Sequence, residues 1–152
     1  MIRELPLLPM DESFTGRGYG TLIRMPEEAD ADKSQSRFAL VIPPQKAEGW
    51  MLGYLACRSR EARVLHCHPD SKETFEPVRG IAALVVAPPD DPEAVEVFIL
   101  DRPVCLNEGV WHVEITLSVE SEIKIVESYA KKSRMPEHAL PFAVRVSAVA
   151  EP

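Results

Sequence analysis

The sequence predicts an all-β fold, an antiparallel sandwich or barrel with few short helices. Three observations carry this. Eight or so short apolar stretches are separated by proline, glycine or charge, the punctuation of a many-stranded sheet protein. Helical periodicity is scarce. Prolines outnumber glycines 14 to 7, a balance that suits short strands with stiff connections better than a helical bundle.

Taken in order, residues 1–24 mix short apolar pieces with a turn at Gly16-Arg17-Gly18-Tyr19-Gly20, and the acidic, polar residues 25–36 read as a solvated loop. Strand-like stretches follow at Phe38–Ile42, Trp50–Ala56, Ala62–His68, Ile81–Ala87 and Val95–Leu100. Val104–Leu117 is broken by a turn at Asn107-Glu108-Gly109, and Ile123–Val126 and Phe142–Val149 complete the set. Asp91-Pro92-Glu93 has the N-cap and first-turn residues of a short helix, but the alternation around Val95, Val97 and Ile99 hands the segment to a strand. Glu127–Arg134 is a second helical candidate, within a polar connection over 128–139. No repeat or composition shift divides the chain, so residues 1–152 are expected to form one domain.

Composition narrows the partners. A net charge of −7 argues against a nucleic acid, which needs a basic surface. No apolar run approaches the ~20 residues that span a bilayer. Three unevenly spaced cysteines, Cys57, Cys67 and Cys105, form no CxxC pair and are expected to be free thiols. Without a basic region followed by an apolar stretch at the N-terminus, the expected location is cytoplasmic.

Three of the four histidines fall in two places, His66-Cys67-His68 and Gly109-Val110-Trp111-His112. On an extended strand, positions i and i+2 share a face, so His66 and His68 would aim at one point with Cys67 turned away. With Glu73, these imidazoles are a ligand set for a divalent first-row ion such as Mn, Fe, Ni or Zn, with a position left for water or substrate. Glu114 and Thr116 share the parity of His112, and Phe75 that of Glu73. Glu114 is the candidate proton carrier, and Phe75 and Thr116 are candidate pocket walls. Lys124 is a candidate for a substrate carboxylate, entering the barrel if Ile123 and Ile125 pack outward. Trp111 should face away from His112, and His138 should lie in a solvent-facing loop.

The spacing His-x-His, four residues, Glu73, six residues, Gly80 resembles the first signature of the cupins, and Gly109 and His112 resemble the second. Arg60 stands where the first signature has a glycine, Asn107 where the second opens on proline, and Thr116 where it ends on asparagine. The resemblance implies a cupin-type double-stranded β-helix (jelly-roll barrel) with His66, His68, Glu73 and His112 as metal ligands. Within the cupins the chain resembles the ureidoglycolate lyase (ureidoglycolate hydrolase) family. The similar stretches are Leu5-Pro6-Leu7, Tyr19-Gly20-Thr21-Leu22-Ile23, His68-Pro69 with Phe75, Pro77 and Gly80, Ile81–Pro88, and Val110-Trp111-His112. That family usually carries Glu at the place of His66 and Gln at that of Glu73, so this chain has the more metal-competent set. Leu106, Asn107 and Glu108 replace the polar residues before its Trp-His pair. The resemblance implies a small-molecule substrate, release of glyoxylate and urea as in purine (allantoin) degradation, and a homodimer. The long polar connection before the last strand and the one-faced alternation of Phe142–Val149 place its expected interface in residues of 1–24 or 141–150. The alternatives are another metal-dependent cupin, an isomerase or dioxygenase, or a non-catalytic ligand-binding cupin.

Overall fold

The computed structural model describes residues 1–26, 36–129 and 134–147. Twelve strands and one helical turn follow one another among them. β1 (Ile2–Leu5), β2 (Leu7–Leu8), α1 (Glu12–Gly16) and β3 (Gly20–Leu22) form the N-terminal portion. Then come β4 (Gly49–Cys57), β5 (Ala62–His66), β6 (Glu73–Arg79), β7 (Ala82–Ala87), β8 (Glu96–Leu100) and β9 (Val104–Leu106). β10 (Trp111–Thr116), β11 (Ser121–Tyr129) and β12 (Glu137–Val146) close the chain.

The strands form a seven-stranded sheet, in the order β1-β12-β5-β10-β7-β8-β2, and a five-stranded sheet, β3-β9-β6-β11-β4. From β4 onward the chain crosses between them at each step: β4, β6, β9 and β11 in the smaller sheet, β5, the β7–β8 hairpin, β10 and β12 in the larger. This alternation is the winding of a double-stranded β-helix, and the all-β jelly-roll barrel expected from the sequence is the fold observed.

Alternating residues of both sheets fill the interior. Phe14, Tyr19, Phe75, Leu84, Val86, Phe98, Leu106 and Ile123 are packed there. A second cluster, including Leu65, Val85, Val97, Ile115, Phe142 and Val144, lies on the opposite face of the larger sheet. β7 is therefore buried at all six positions, which explains why Ala82–Ala87 reads as an unbroken apolar run and not an alternating one.

Two glycines set turns between strands. Gly80, between β6 and β7, has φ +74°, and a Cβ there would run into the carbonyl oxygen of Glu120. Gly109, before β10, has φ +78°, a conformation that side chains with a Cβ rarely adopt.

Several expectations are corrected. Phe38–Ile42 is not a strand: Phe38 and Leu40 are exposed, and Pro43 and Pro44, which follow, have no N–H for a ladder. Glu127 does not open a helix, because β11 continues to Tyr129; residues 130–133 of that candidate lie outside the described residues. The last strand begins at Glu137, not Phe142, so His138 belongs to a strand and its Nε2 is buried; residues 148–149 of the expected strand lie outside the described residues. Asp91 caps a turn, accepting from Glu93 N–H at 3.2 Å, and no helix forms there. The helix that does form, α1, was not expected. Asp11 caps it by accepting from Ser13 N–H at 2.9 Å, and Phe14 anchors it in the core.

Candidate metal centre

Two rows of side chains face each other across the barrel. In the smaller sheet, Leu106, Glu73, Glu127 and Met51 stand side by side on β9, β6, β11 and β4. In the larger sheet, His66, His112 and Val86 do so on β5, β10 and β7. β10 lies inside its sheet between β5 and β7, so the ladder fixes the backbone of His112. His68 is placed differently. β5 ends at His66 and the chain turns through Pro69 and Asp70. The His68 carbonyl accepts the Gly109 N–H at 3.0 Å, which ties the first histidine loop to the turn before His112.

His68, Glu73 and His112 form the group able to hold an ion, with one donor atom from each lying within 4.8 Å of the others. Glu73 Oε2 is 3.1 Å from His68 Nε2 and 3.0 Å from His112 Nε2. Neither approach has hydrogen-bond geometry, so this buried carboxylate oxygen is without a partner. His112 Nδ1 lies 3.0 Å from the Val110 carbonyl oxygen, which only an Nδ1–H can satisfy, and its Nε2 then presents a lone pair. Glu73 Oε2 and the two Nε2 atoms thus converge on one point. Neighbouring ligands at bond lengths of about 2.1 Å stand roughly 3 Å apart at right angles, so the residues fit a divalent first-row ion.

Without an ion, the same three groups are coupled through charge, an imidazolium pairing with the carboxylate. Burial pushes the Glu73 carboxyl up, but the imidazoles of His112 and His68 outweigh it and hold the pKa at about 2. Burial pushes His112 down, and the Glu73 carboxylate more than compensates, so it is raised overall. Glu114, two residues along β10, is raised by burial, against the opposing pull of His112. It is half-buried on β10.

Phe75 is fully buried with its ring edge-on to His112, centroids 5.4 Å apart, and forms an apolar wall. The other expected residues stand elsewhere. His66 stands beside His112 on the same face but is not among the donors that lie within 4.8 Å of one another; its Nδ1 is turned to Glu137 Oε1 at 3.6 Å, and β5 ends before His68. Lys124 does not enter the barrel. Ile123 and Ile125 pack inward, so Lys124 faces outward and pairs with Glu76 at 2.8 Å. The Thr116 hydroxyl is engaged at the far end of β10, with the Ile81 and Ser118 carbonyls at 3.3 Å. Trp111 faces the second core cluster, and Cys57, Cys67 and Cys105 are free and buried.

Two further residues stand at the centre, and of these Glu127 went unrecognised in the sequence. Leu106 lies beside Glu73 on β9, so the replacement before the Trp-His pair lines the site with an apolar side chain. Glu127 lies on the other side of Glu73, with Oε1 3.0 Å from His68 Nδ1. Its signal was the inward parity it shares with Ile123 and Ile125.

No protein-family profile and no curated protein matches the chain. Among solved structures, vicilin from Solanum lycopersicum (tomato) aligns with a TM-score of 0.48 and 12% identity over 60% of this chain and 26% of the vicilin. The vicilin from Solanum melongena aligns with a TM-score of 0.48 and 13% identity over 61% and 25%. A mutant of Bacillus subtilis oxalate decarboxylase aligns with a TM-score of 0.44 and 14% identity over 60% and 24%. The chain spans about a quarter of the length of each. No helix among the described residues is long and apolar enough to cross a membrane.

Proposed function

We propose that the chain is a metal-dependent cupin enzyme that cleaves ureidoglycolate, or a related small α-hydroxy acid, to glyoxylate and urea. The observation that carries the metal is the partnerless Glu73 Oε2 between two Nε2 atoms; the substrate class comes from the sequence resemblance. Cleavage needs the substrate hydroxyl to lose its proton and become the carbonyl of glyoxylate. The C–N bond breaks, and the departing nitrogen takes up a proton. A divalent ion held by His68, Glu73 and His112 supplies, when bound, Lewis acidity toward the hydroxyl and carboxylate oxygens. Glu114, with its pKa raised, is suited to carry the proton to the leaving nitrogen. Phe75 and Leu106, buried beside the ligands, exclude water. Protein loaded with Mn²⁺, Fe²⁺, Ni²⁺ or Zn²⁺ should release glyoxylate from ureidoglycolate faster than the spontaneous reaction. No excess rate with any of them would sink the lyase reading and leave the metal centre standing.

A second reading has its own observation. With His66 aside, two histidines and one carboxylate remain, the donor set of non-haem Fe(II) oxygenases. Oxygen consumption that requires Fe²⁺ and a small organic acid would favour it over the lyase.

For assembly, the reading is a homodimer. β12 has β1 on one side and β5 on the other, so of the two expected stretches β1, at the sheet edge, is the one free to pair with a second copy. Light scattering at micromolar concentration should give twice the 17.0 kDa chain mass; a monomer would rule this out.

A further inference from the structure

We propose that Glu127, braced by Ser71, is a positioning residue that orients the His68 imidazole toward the ion; the proposal rests on the metal-centre reading above. His112 needs no such help, since a central strand holds its backbone and the Val110 carbonyl oxygen fixes its Nδ1. His68 stands past the end of β5, where no ladder restrains it. Its two ring nitrogens instead lie against carboxylates from two neighbouring strands. Glu73 and Glu127 face each other across β6 and β11, with Glu73 Oε2 3.1 Å from Nε2 and Glu127 Oε1 3.0 Å from Nδ1. A carboxylate 3.0 Å from Nδ1 favours the tautomer that carries its proton there, and in that tautomer His68 presents an Nε2 lone pair beside that of His112.

Glu127 is itself held. Its Oε1 accepts the Ser71 hydroxyl at 2.8 Å, and Ser71 is 3% exposed. Beside this contact, Ser128 N–H donates to the Lys72 carbonyl at 3.1 Å, and Lys72 N–H donates to Ser128 Oγ at 3.1 Å. These bonds pin the histidine loop to the end of β11. A carboxylate this sheltered, with its side chain 13% exposed, would be expensive as a mere filler of the barrel wall. Carboxylates that accept the distal N–H of a ligating histidine set its tautomer and orientation, and their loss weakens metal binding by roughly tenfold to a hundredfold.

The test is a Zn²⁺ titration of the metal-free full-length chain against a competing chelator, with thermal unfolding of the metal-free proteins alongside. Glu127→Ala should bind Zn²⁺ roughly ten to a hundred times more weakly than wild type. Glu127→Gln, which keeps an acceptor for Nδ1–H, should lose less than the alanine variant, and it serves as the readout if Glu127→Ala does not fold. Unchanged affinity in the alanine variant, or in the glutamine variant when only that one folds, overturns the positioning role and leaves the metal centre intact. So does a lower metal-free melting temperature with unchanged affinity, the mark of a purely structural carboxylate. A loss as complete as that of His68→Ala would make Glu127 a ligand and also overturn the proposal. Wild-type protein that binds no Zn²⁺ removes the metal centre, and this role with it.

Discussion

Glu73→Gln in the metal-free protein tests whether the three donors form one coupled unit. The Glu73 carboxyl is held at about 2 against an ordinary 4.5. That gap of some 2.5 pH units corresponds to about 3 kcal/mol at 1.36 kcal/mol per unit, shared among Glu73, His112 and His68. The amide regains about 1 kcal/mol by donating to one Nε2, so the expected loss near pH 6 is about 2–3 kcal/mol, or roughly 4–12 °C in melting temperature. The sign of the pH dependence follows from the two shifts. A depressed carboxyl contributes fully above its unfolded pKa of 4.5 and loses that contribution as pH falls toward 2. The raised His112 contributes fully below its unfolded 6.5 and loses that contribution as pH rises through its folded pKa. The difference between wild type and variant should therefore be widest between about pH 4.5 and 6.5 and shrink on both sides. Urea unfolding in the presence of a chelator, repeated from pH 3 to 8, measures it. A difference that stays constant with pH, or a variant as stable as wild type at pH 6, would refute the coupling.

Three further outcomes separate the roles of neighbouring residues. Glu114→Gln should lower turnover by roughly a hundredfold or more while leaving Zn²⁺ affinity within a few-fold. Because burial raises the Glu114 carboxyl, the wild type loses stability as pH climbs above 4.5, and the variant should be the more stable protein at pH 7 but not at pH 4; chelator-treated melting curves show this. His66→Ala should weaken Zn²⁺ binding less than tenfold, against losses of roughly a hundredfold or more for His68→Ala and His112→Ala, since His66 stands outside the donor group; equal losses in all three would restore it as a ligand. Lys124→Ala should leave substrate KM unchanged and cost no more than about 1 kcal/mol, because the side chain faces outward toward Glu76; a large rise in KM would contradict that placement.

Much of this was legible in the sequence because a half-buried strand declares itself by alternation and a tight turn by its glycine. β8, β10 and β11 carry that alternation, and Gly80 and Gly109 mark turns that need positive φ. Legibility failed where a strand ended sooner or ran later than its apolar pattern. His66 and His68 look paired on paper, but β5 stops between them, and i to i+2 geometry holds only inside a ladder. Glu127 went unseen for the opposite reason: the apolar residues stop at Val126 while the strand carries on, placing a carboxylate inward where the pattern had turned polar. Phe38–Ile42 shows that apolar composition without a partner strand is not a strand. Lys124 turned on the direction of Ile123 and Ile125, which the spacing leaves open and only the three-dimensional core decides.

The central claim is that His68, Glu73 and His112 hold an ion, and elemental analysis of the purified, reconstituted and desalted chain tests it most directly. The account predicts one first-row divalent ion per chain in the wild type and close to none in folded His68→Ala and His112→Ala proteins. A wild-type chain that retains no ion, or alanine variants that retain as much as wild type, would contradict it.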